Sequence, residues 1–205
     1  LEQGGRQQRE RARLAVEEVV LTRPGVRPIT GISTTGNKSY GVSISGQKNM
    51  EIHDLTLSGD QAGGLELTRT TDSKVRGVTT TDEPNGVFLH VNSTNVVLDA
   101  ITLTGGRTGI LEEKTTKGLH VTGSTIDTAH VSGMEIGGHD TLLEGVTVKN
   151  SRAAIRVERG AEGVTADRVS LVGGTDGLVT SGGTAGIVVK ELSSDGVGND
   201  TLRNL

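Results

Sequence analysis

Acidic residues, a histidine and an arginine return at intervals of about 23 residues, in segments where apolar and polar residues alternate. If these segments are strands that stack in register, residues one interval apart lie about 4.8 Å from each other. His90 can then contact Glu113, and Glu135 can contact Arg156. An imidazole beside carboxylates can transfer protons to and from a bound substrate, so this spacing indicates a candidate acid–base site.

The candidate residues occupy two neighbouring columns of outward-facing positions. The first column contains Ser43, Glu66, Phe88, Leu111, Glu135, Arg156 and Val179, and the second contains Ser45, Thr68, His90, Glu113, Gly137, Glu158 and Ser181. The candidate catalytic residues are His90, Glu113 and Glu135. The candidate substrate-binding residues are Glu66, Phe88, Arg156 and Glu158, with Phe88 expected to be exposed. The alternative is a solvated charged face, whose cross-strand ion pairs contribute little to stability.

Three further carboxylates stand out by position. Strand alternation turns Glu112 inward, to the position that Ile44, Leu67, Leu89, Ile136 and Val157 occupy in other repeats. Since a buried, unpaired carboxylate is costly, we expect a β-bulge at residues 111–113 that turns Glu112 to solvent, rather than a buried functional acid. Asp60 and Glu83 lie one interval apart and are expected to stack as paired carboxylates. They supply too few oxygens for a tight calcium site, so no metal or other cofactor is expected.

The interval is visible along the whole chain as a column of small hydroxyl residues. Its members are Ser33, Thr56, Thr79, Thr102, Thr125, Thr147, Ser170 and Ser193. A period this long and regular predicts a solenoid, in which each repeat is one coil that buries its inner side against the next coil.

Two further columns predict the parts of each coil. A strand that opens with Gly or Ala and has inward apolar residues recurs at Gly41, Gly64, Gly86, Gly109, Gly133, Ala154 and Gly177. A column of residues that tolerate a left-handed backbone predicts a recurrent turn at Asn49, Asp72, Asn95, Gly118, Asp140, Gly163 and Gly186. With one Tyr, one Phe and no Trp, the chain suits a narrow core of Val, Ile and Leu.

The predicted domain organisation is one solenoid with different ends. Residues 1–18 are rich in helix formers and are expected to form a short capping helix. Residues 19–195 form the solenoid of about eight coils, and residues 196–205 are a tail or the start of a further coil. We expect further chain or a partner to cover the C-terminal end.

The strand, turn and hydroxyl columns resemble right-handed parallel β-helix repeat proteins of the pectin-lyase-like superfamily. The resemblance implies an all-β, right-handed parallel β-helix. It does not imply one activity, because the superfamily includes lyases, hydrolases, epimerases, tailspikes and adhesins. The nearest catalytic strings, Gly138-His139-Asp140 and Asp82-Glu83-Pro84-Asn85, do not match the family's polygalacturonase or epimerase motifs.

Composition excludes several classes of function. The net charge of −4 provides no basic surface for nucleic acid, and no segment approaches the roughly 18 apolar residues of a membrane span. We expect a non-catalytic, secreted or surface-associated bacterial scaffold that presents a face to a polysaccharide or protein, with its signal segment outside this chain. The alternative is a carbohydrate-active lyase, epimerase or hydrolase.

Overall fold

A computed structural model of the chain describes residues 19–21, 28–199 and 203–204, the first and last of these ranges as backbone only. These residues form strands and turns that wind into a parallel β-solenoid of about seven turns, with no helix among them. The predicted all-β solenoid is therefore confirmed. The capping helix predicted for residues 1–18 lies outside the described residues.

The Gly-led strands form a nine-stranded parallel sheet, which we call sheet A. Its strands are Val19–Leu21, Tyr40–Ser45, Gly63–Thr68, Asn85–His90, Thr108–Glu112, Ser132–Ile136, Ala153–Val157, Asp176–Thr180 and Arg203–Asn204. The inward positions pair one interval apart, as in Val42 with Leu65 and Leu65 with Val87. The predicted register is therefore the observed one.

The other strands form a fourteen-stranded sheet, sheet B. Its strands are Ile29–Thr30, Ser33–Thr35, Glu51–Ser58, Thr71–Thr81, Thr94–Asp99, Thr102–Thr104, His120–Thr122, Thr125–Asp127, Leu142–Glu144, Thr147–Lys149, Thr165–Asp167, Val169–Val172, Val188–Val189 and Leu192–Asp195. The hydroxyl column lies on this sheet, where Thr79 pairs with Thr56 on one side and with Thr102 on the other.

Left-handed residues mark the corners of each coil. The predicted turn column has φ between 48° and 71° at all of its positions, from Asn49 to Gly186. A second column of positive φ, which the sequence analysis did not identify, divides sheet B into two rows. Its members are Gly31, Asp54, Gly77, Ala100, Gly123, Gly145 and Arg168. Each coil therefore has three sides, one from sheet A and two from sheet B.

The interior is narrow and mostly aliphatic. Fully buried side chains include Ile44, Leu67, Leu98 and Leu103, and the apolar core of the described residues contains no aromatic ring. Gly leads the sheet A strands because neighbouring coils approach closely there. A Cβ atom on Gly64 would lie 2.7 Å from the carbonyl oxygen of Gly86 in the next coil. The glycines therefore allow neighbouring coils to approach closely at this position of sheet A.

The C-terminal end of the solenoid has exposed apolar residues and a further short strand. Val188 and Val189 are the exposed large hydrophobic residues of the described chain. Arg203–Asn204 adds to sheet A by pairing with Val179 and Thr180. Among the described residues, no helix is both long enough and apolar enough to cross a bilayer.

Candidate functional site

The outer face of sheet A brings polar and aromatic side chains of four successive strands together. We call Tyr40, Ser43, Glu66, Phe88, His90 and Glu113 the sheet A cluster. Tyr40 and Ser43 come from one strand, Glu66 from the next, and Phe88 and His90 from the third. Glu113 directly follows the fourth strand, Thr108–Glu112.

His90 lies between two glutamates of this cluster. Its Nδ1 is 3.3 Å from Oε1 of Glu66, and its Nε2 is 3.3 Å from Oε1 of Glu113. The predicted contact of His90 with Glu113 is therefore present, and Glu66 completes it from the opposite side. The contact of Nδ1 with Glu66 is a hydrogen bond, whereas Nε2 and Glu113 lie within ion-pairing distance.

Two more polar contacts hold the glutamates in place. The hydroxyl of Ser43 donates a hydrogen bond of 2.6 Å to Oε2 of Glu66. The backbone N–H of Val91 donates to Oε2 of Glu113 at 3.3 Å. Each carboxylate therefore has one oxygen directed at His90 and the other bound by a neighbouring donor. The side chains of His90 and Glu113 remain about one-third exposed, at 35% and 37%, and can contact a ligand.

The prediction that Phe88 is exposed is wrong, since only 9% of its surface is accessible. The ring stacks on His90, with centroids 4.8 Å apart and an angle of 16° between the planes. Tyr40 also lies next to the Phe88 ring, with a centroid distance of 6.4 Å. The ring is thus covered by a side chain two residues along the strand and by one two coils away, which strand alternation alone does not reveal.

Tyr40 is a member of the cluster that the sequence analysis did not propose. Burial, together with the nearby negative charges of Glu66 and Glu113, raises the pKa of its phenol above the usual 10.0. The signal in the sequence is Gly63, one interval later, where a Cβ atom would lie 2.9 Å from Cε1 of Tyr40. A glycine at this position leaves the space that the ring occupies.

The remaining candidate residues do not join this cluster. Glu135 and Arg156 are register neighbours, but no ion pair joins them, so the predicted contact is wrong. The Nε atom of Arg156 is buried without a hydrogen-bond partner. Glu158, half-buried, follows the strand Ala153–Val157. Register fixes the backbones of such a pair, whereas an exposed ion pair is too weak to fix its side-chain rotamers.

The bulge predicted at Glu112 is absent, and the carboxylate is buried with 2% exposure. Its strand pairs regularly on both sides, with Leu89 and with Ile136. The hydroxyls of Thr116 and Thr141 donate hydrogen bonds of 2.9 and 2.8 Å to it, and the backbone N–H of Gly138 also contributes. These donors replace water, so the strand needs no bulge.

A second group of charged side chains lies on sheet B. A cleft of about 150 Å³ is lined by Glu51, Ile52, His53, Lys74 and Arg76. The closest ion pairs there join Lys74 to Asp99 at 3.1 Å and His53 to Asp54 at 2.8 Å. In the described part of the chain, no group of three or more His, Cys, Asp or Glu residues is arranged to hold a metal ion.

The sheet A cluster has the chemistry of a binding surface for polar ligands. Carboxylates and hydroxyls on a rigid sheet can accept and donate hydrogen bonds to sugar hydroxyls, and the ring of Tyr40 adds a flat apolar surface. Because carboxylates occupy both nitrogens of His90, the imidazole is poorly placed to accept a proton from a ligand.

Comparisons with known proteins agree with this architecture. Residues 20–170 match the family described as a right handed beta helix region. No curated protein sequence matches the chain.

One similar solved structure is PfbA, a surface adhesin of Streptococcus pneumoniae, with 10% identity, a TM-score of 0.48 and coverage of 84% of this chain. The chain spans 62% of the length of that adhesin. Another is the A-module of the mannuronan C-5 epimerase AlgE4 of Azotobacter vinelandii, with 11% identity, a TM-score of 0.26 and coverage of 91% of this chain and 79% of the module. Because the family match extends over most of the sequence, the chain belongs to the right-handed β-helix family.

Proposed function

We propose that the protein is a non-catalytic, extracellular or surface-associated scaffold that binds a polysaccharide through the sheet A cluster. The observation that carries this proposal is the contiguity of Ser43, Glu66, His90 and Glu113 on adjacent coils, linked by hydrogen bonds and ion pairs. The coils repeat in one direction, so a polymer lying along the axis meets equivalent positions of successive coils.

The surroundings of the polar groups support binding rather than catalysis. Both nitrogens of His90 face carboxylates, so neither nitrogen of this imidazole is free to act as a base on a bound polymer. Glu112, whose pKa suits an acid catalyst, is buried with 2% exposure and bound by three internal donors, so a polymer cannot reach it. Glu135 and Arg156 contribute no ion pair that would organise a second catalytic group.

A carbohydrate-active enzyme is the second candidate, favoured by the contact between His90 and Glu113 at 3.3 Å. In that function, Glu66 and Glu113 hold the imidazole as a general acid, while Glu135 and Arg156 bind substrate. Lyase, epimerase and hydrolase reactions all require such proton transfers.

One incubation separates the two candidates. The purified protein is mixed with immobilised neutral, acidic and amino polysaccharides, and both retention and the release of reducing or unsaturated ends are measured. The scaffold predicts retention on at least one polymer without products. Product formation that is lost in His90→Ala would overturn the scaffold in favour of the enzyme, and the absence of both signals would favour a protein partner.

Variants locate the binding face. Glu113→Gln removes the charge that faces His90 while keeping the size of the side chain, so we expect about fivefold to tenfold weaker retention. Glu51→Gln is the matched control, because Glu51 is an exposed acid on sheet B. Equal losses in the two variants would show that the outer face of sheet A is not the binding surface.

A further inference from the structure

Two carboxyl groups of successive coils lie inside the solenoid beneath the sheet A cluster. Asp60 is 0% exposed and Glu83 is 2% exposed. The backbone N–H of Asp60 donates to both carboxyl oxygens of Glu83, at 3.3 and 3.2 Å. No ion pair of the described residues involves either carboxyl group. Two like charges this close in a nonpolar interior cannot both be ionised without a large energetic cost.

The two carboxyl groups differ in the hydrogen bonds that they receive. Asp60 accepts a hydrogen bond of 2.6 Å from the hydroxyl of Thr34 and one of 2.7 Å from the backbone N–H of Asn37. Glu83 has only the long contacts from the N–H of Asp60, and its own side chain hydrogen-bonds to the Asp60 carboxylate. The proton therefore belongs on Glu83, which donates it to Asp60.

We infer that Asp60 and Glu83 share one proton, and that this shared proton holds the strands Tyr40–Ser45 and Gly63–Thr68 against the interior. We call this pH-sensitive pair the lock. Loss of the proton places two negative charges in the core and weakens the packing of these coils. The lock works in the folded chain alone and requires no ligand.

The strands that carry the sheet A cluster lie directly on this pair. A Cβ atom on Gly41 would lie 2.3 Å from Oδ2 of Asp60, and one on Gly64 would lie 3.2 Å from Cγ of Glu83. Gly41 follows Tyr40 in its strand, and Gly64 lies two residues before Glu66. Repulsion between the two carboxylates therefore acts on the strands that position Tyr40 and Glu66.

The charged groups facing Glu83 all favour its neutral form. Burial is the largest cause, and the negative charges of Asp60 and Asp82 add to it, so the pKa of Glu83 is raised from 4.5 to about 7. Because the folded-state pKa is above the unfolded one, the stabilisation is fully present below about pH 4.5. It is lost as the pH rises through about 7.

Hydrogen exchange read by mass spectrometry tests the lock locally in the full chain. Protection of peptides covering residues 37–45 and 60–67 is compared at pH 5.5 and pH 8, after correction for the intrinsic pH dependence of exchange. We expect about a tenfold to thirtyfold loss of protection at pH 8 in the unmodified protein. Glu83→Gln keeps a neutral donor at the same position and should retain protection at both pH values.

Two control variants separate a shared proton from other causes of the pH-dependent loss of protection. Glu112→Gln alters a buried acid in another coil and should leave the pH-dependent loss at residues 37–45 and 60–67 unchanged. Asp60→Asn removes the second charge and should reduce that loss, which separates a shared proton from burial alone. Protection of the unmodified protein that does not change with pH would overturn the lock. Restoration of protection at pH 8 by added calcium would overturn it in favour of a cation between the carboxylates.

Discussion

At the scale of single residues, neighbouring donors decide where a side chain points. Glu112 occupies an inward position that is aliphatic in most coils, and it remains there because Thr116, Thr141 and the N–H of Gly138 donate hydrogen bonds to it. The desolvation cost of the carboxylate is thus reduced but not eliminated, and burial raises its pKa from 4.5 to about 7.

Glu112→Gln should make stability less dependent on pH. The raised pKa means that Glu112 stabilises the fold most below about pH 4.5 and loses this contribution as the pH rises through about 7. We therefore expect the melting temperature of the variant to exceed that of the unmodified protein at pH 8 and to match it at pH 5. Thermal unfolding followed by circular dichroism at the two pH values checks this.

Glu112→Ala serves as the contrasting variant. It removes the charge but also leaves a cavity and the hydroxyl of Thr141 without its acceptor, so we expect it to be about 2 kcal/mol less stable than Glu112→Gln at either pH. A melting temperature of Glu112→Gln below that of the unmodified protein at pH 8 would contradict the assignment of the buried acid.

The sequence shows that Glu112 does not fit the apolar pattern of this position. It does not show how the structure accommodates the carboxylate. The donor Thr116 lies in a turn, and the donor Thr141 lies in the next coil. The direction of their hydroxyl groups depends on side-chain torsion angles, which the repeat of the sequence does not determine. Phe88 shows the same limit, because its cover comes from His90 two residues later and from Tyr40 two coils earlier. Register predicts proximity, and packing then decides exposure and pairing.

At the scale of elements, the turns were predictable only where residue type reflects backbone conformation. The column from Asn49 to Gly186 contains Asn, Asp and Gly throughout, and all of its members have positive φ. The corner column inside sheet B includes Ala100 and Arg168, whose residue types do not favour a left-handed backbone. The surrounding sheet imposes that conformation at these two positions, whereas the other five members are Gly or Asp and carry a signal that the sequence analysis missed.

Ala100→Gly should stabilise the protein. Ala100 has φ of 53°, a conformation that costs an L-residue about 1 kcal/mol and glycine very little. Ala100 is exposed, so removing its methyl group loses little packing. We expect a gain of about 0.5–1 kcal/mol in the free energy of unfolding, measured by denaturant titration.

Ala166→Gly is the matched control, because Ala166 is buried in the strand Thr165–Asp167 and has no positive φ. Here the same change should destabilise the protein through lost packing and greater freedom of the unfolded chain. Equal effects of the two substitutions would mean that the corner at Ala100 does not constrain the backbone as described.

At the scale of the whole molecule, stacking converts a linear repeat into a surface. The sheet A cluster extends from Tyr40 to Glu113, yet each of its contacts joins residues of the same coil or of coils close together along the axis. Solenoid coils interact mainly with their nearest neighbours, so local variants should act locally. The pH-sensitive pair beneath the cluster and Glu112 can therefore be tested separately.

Strand register and the narrow aliphatic core could be predicted from the sequence because each is repeated in nearly every coil. The sheet A cluster could be predicted only in part, since the contact of His90 with Glu113 follows from register alone. The contributions of Tyr40 and of the serine hydroxyl at Ser43 depend on single side-chain geometries that occur once. The fold could be predicted because its features repeat, whereas these side-chain contacts could not be predicted because each occurs once.

The most direct test of the account is whether residues one interval apart are vertical neighbours. The chain has no cysteine, so introduced pairs report without interference. Thr79 and Thr102 pair in register, and parallel neighbours about 4.8 Å apart fall within the Cα separation that a disulfide spans. The double variant Thr79→Cys with Thr102→Cys should form an intramolecular disulfide under mild oxidation. The control, Thr79→Cys with Thr125→Cys, places the thiols two coils apart and should keep both reduced. A disulfide in the control, with free thiols in the in-register pair, would contradict the stacked arrangement on which the site depends.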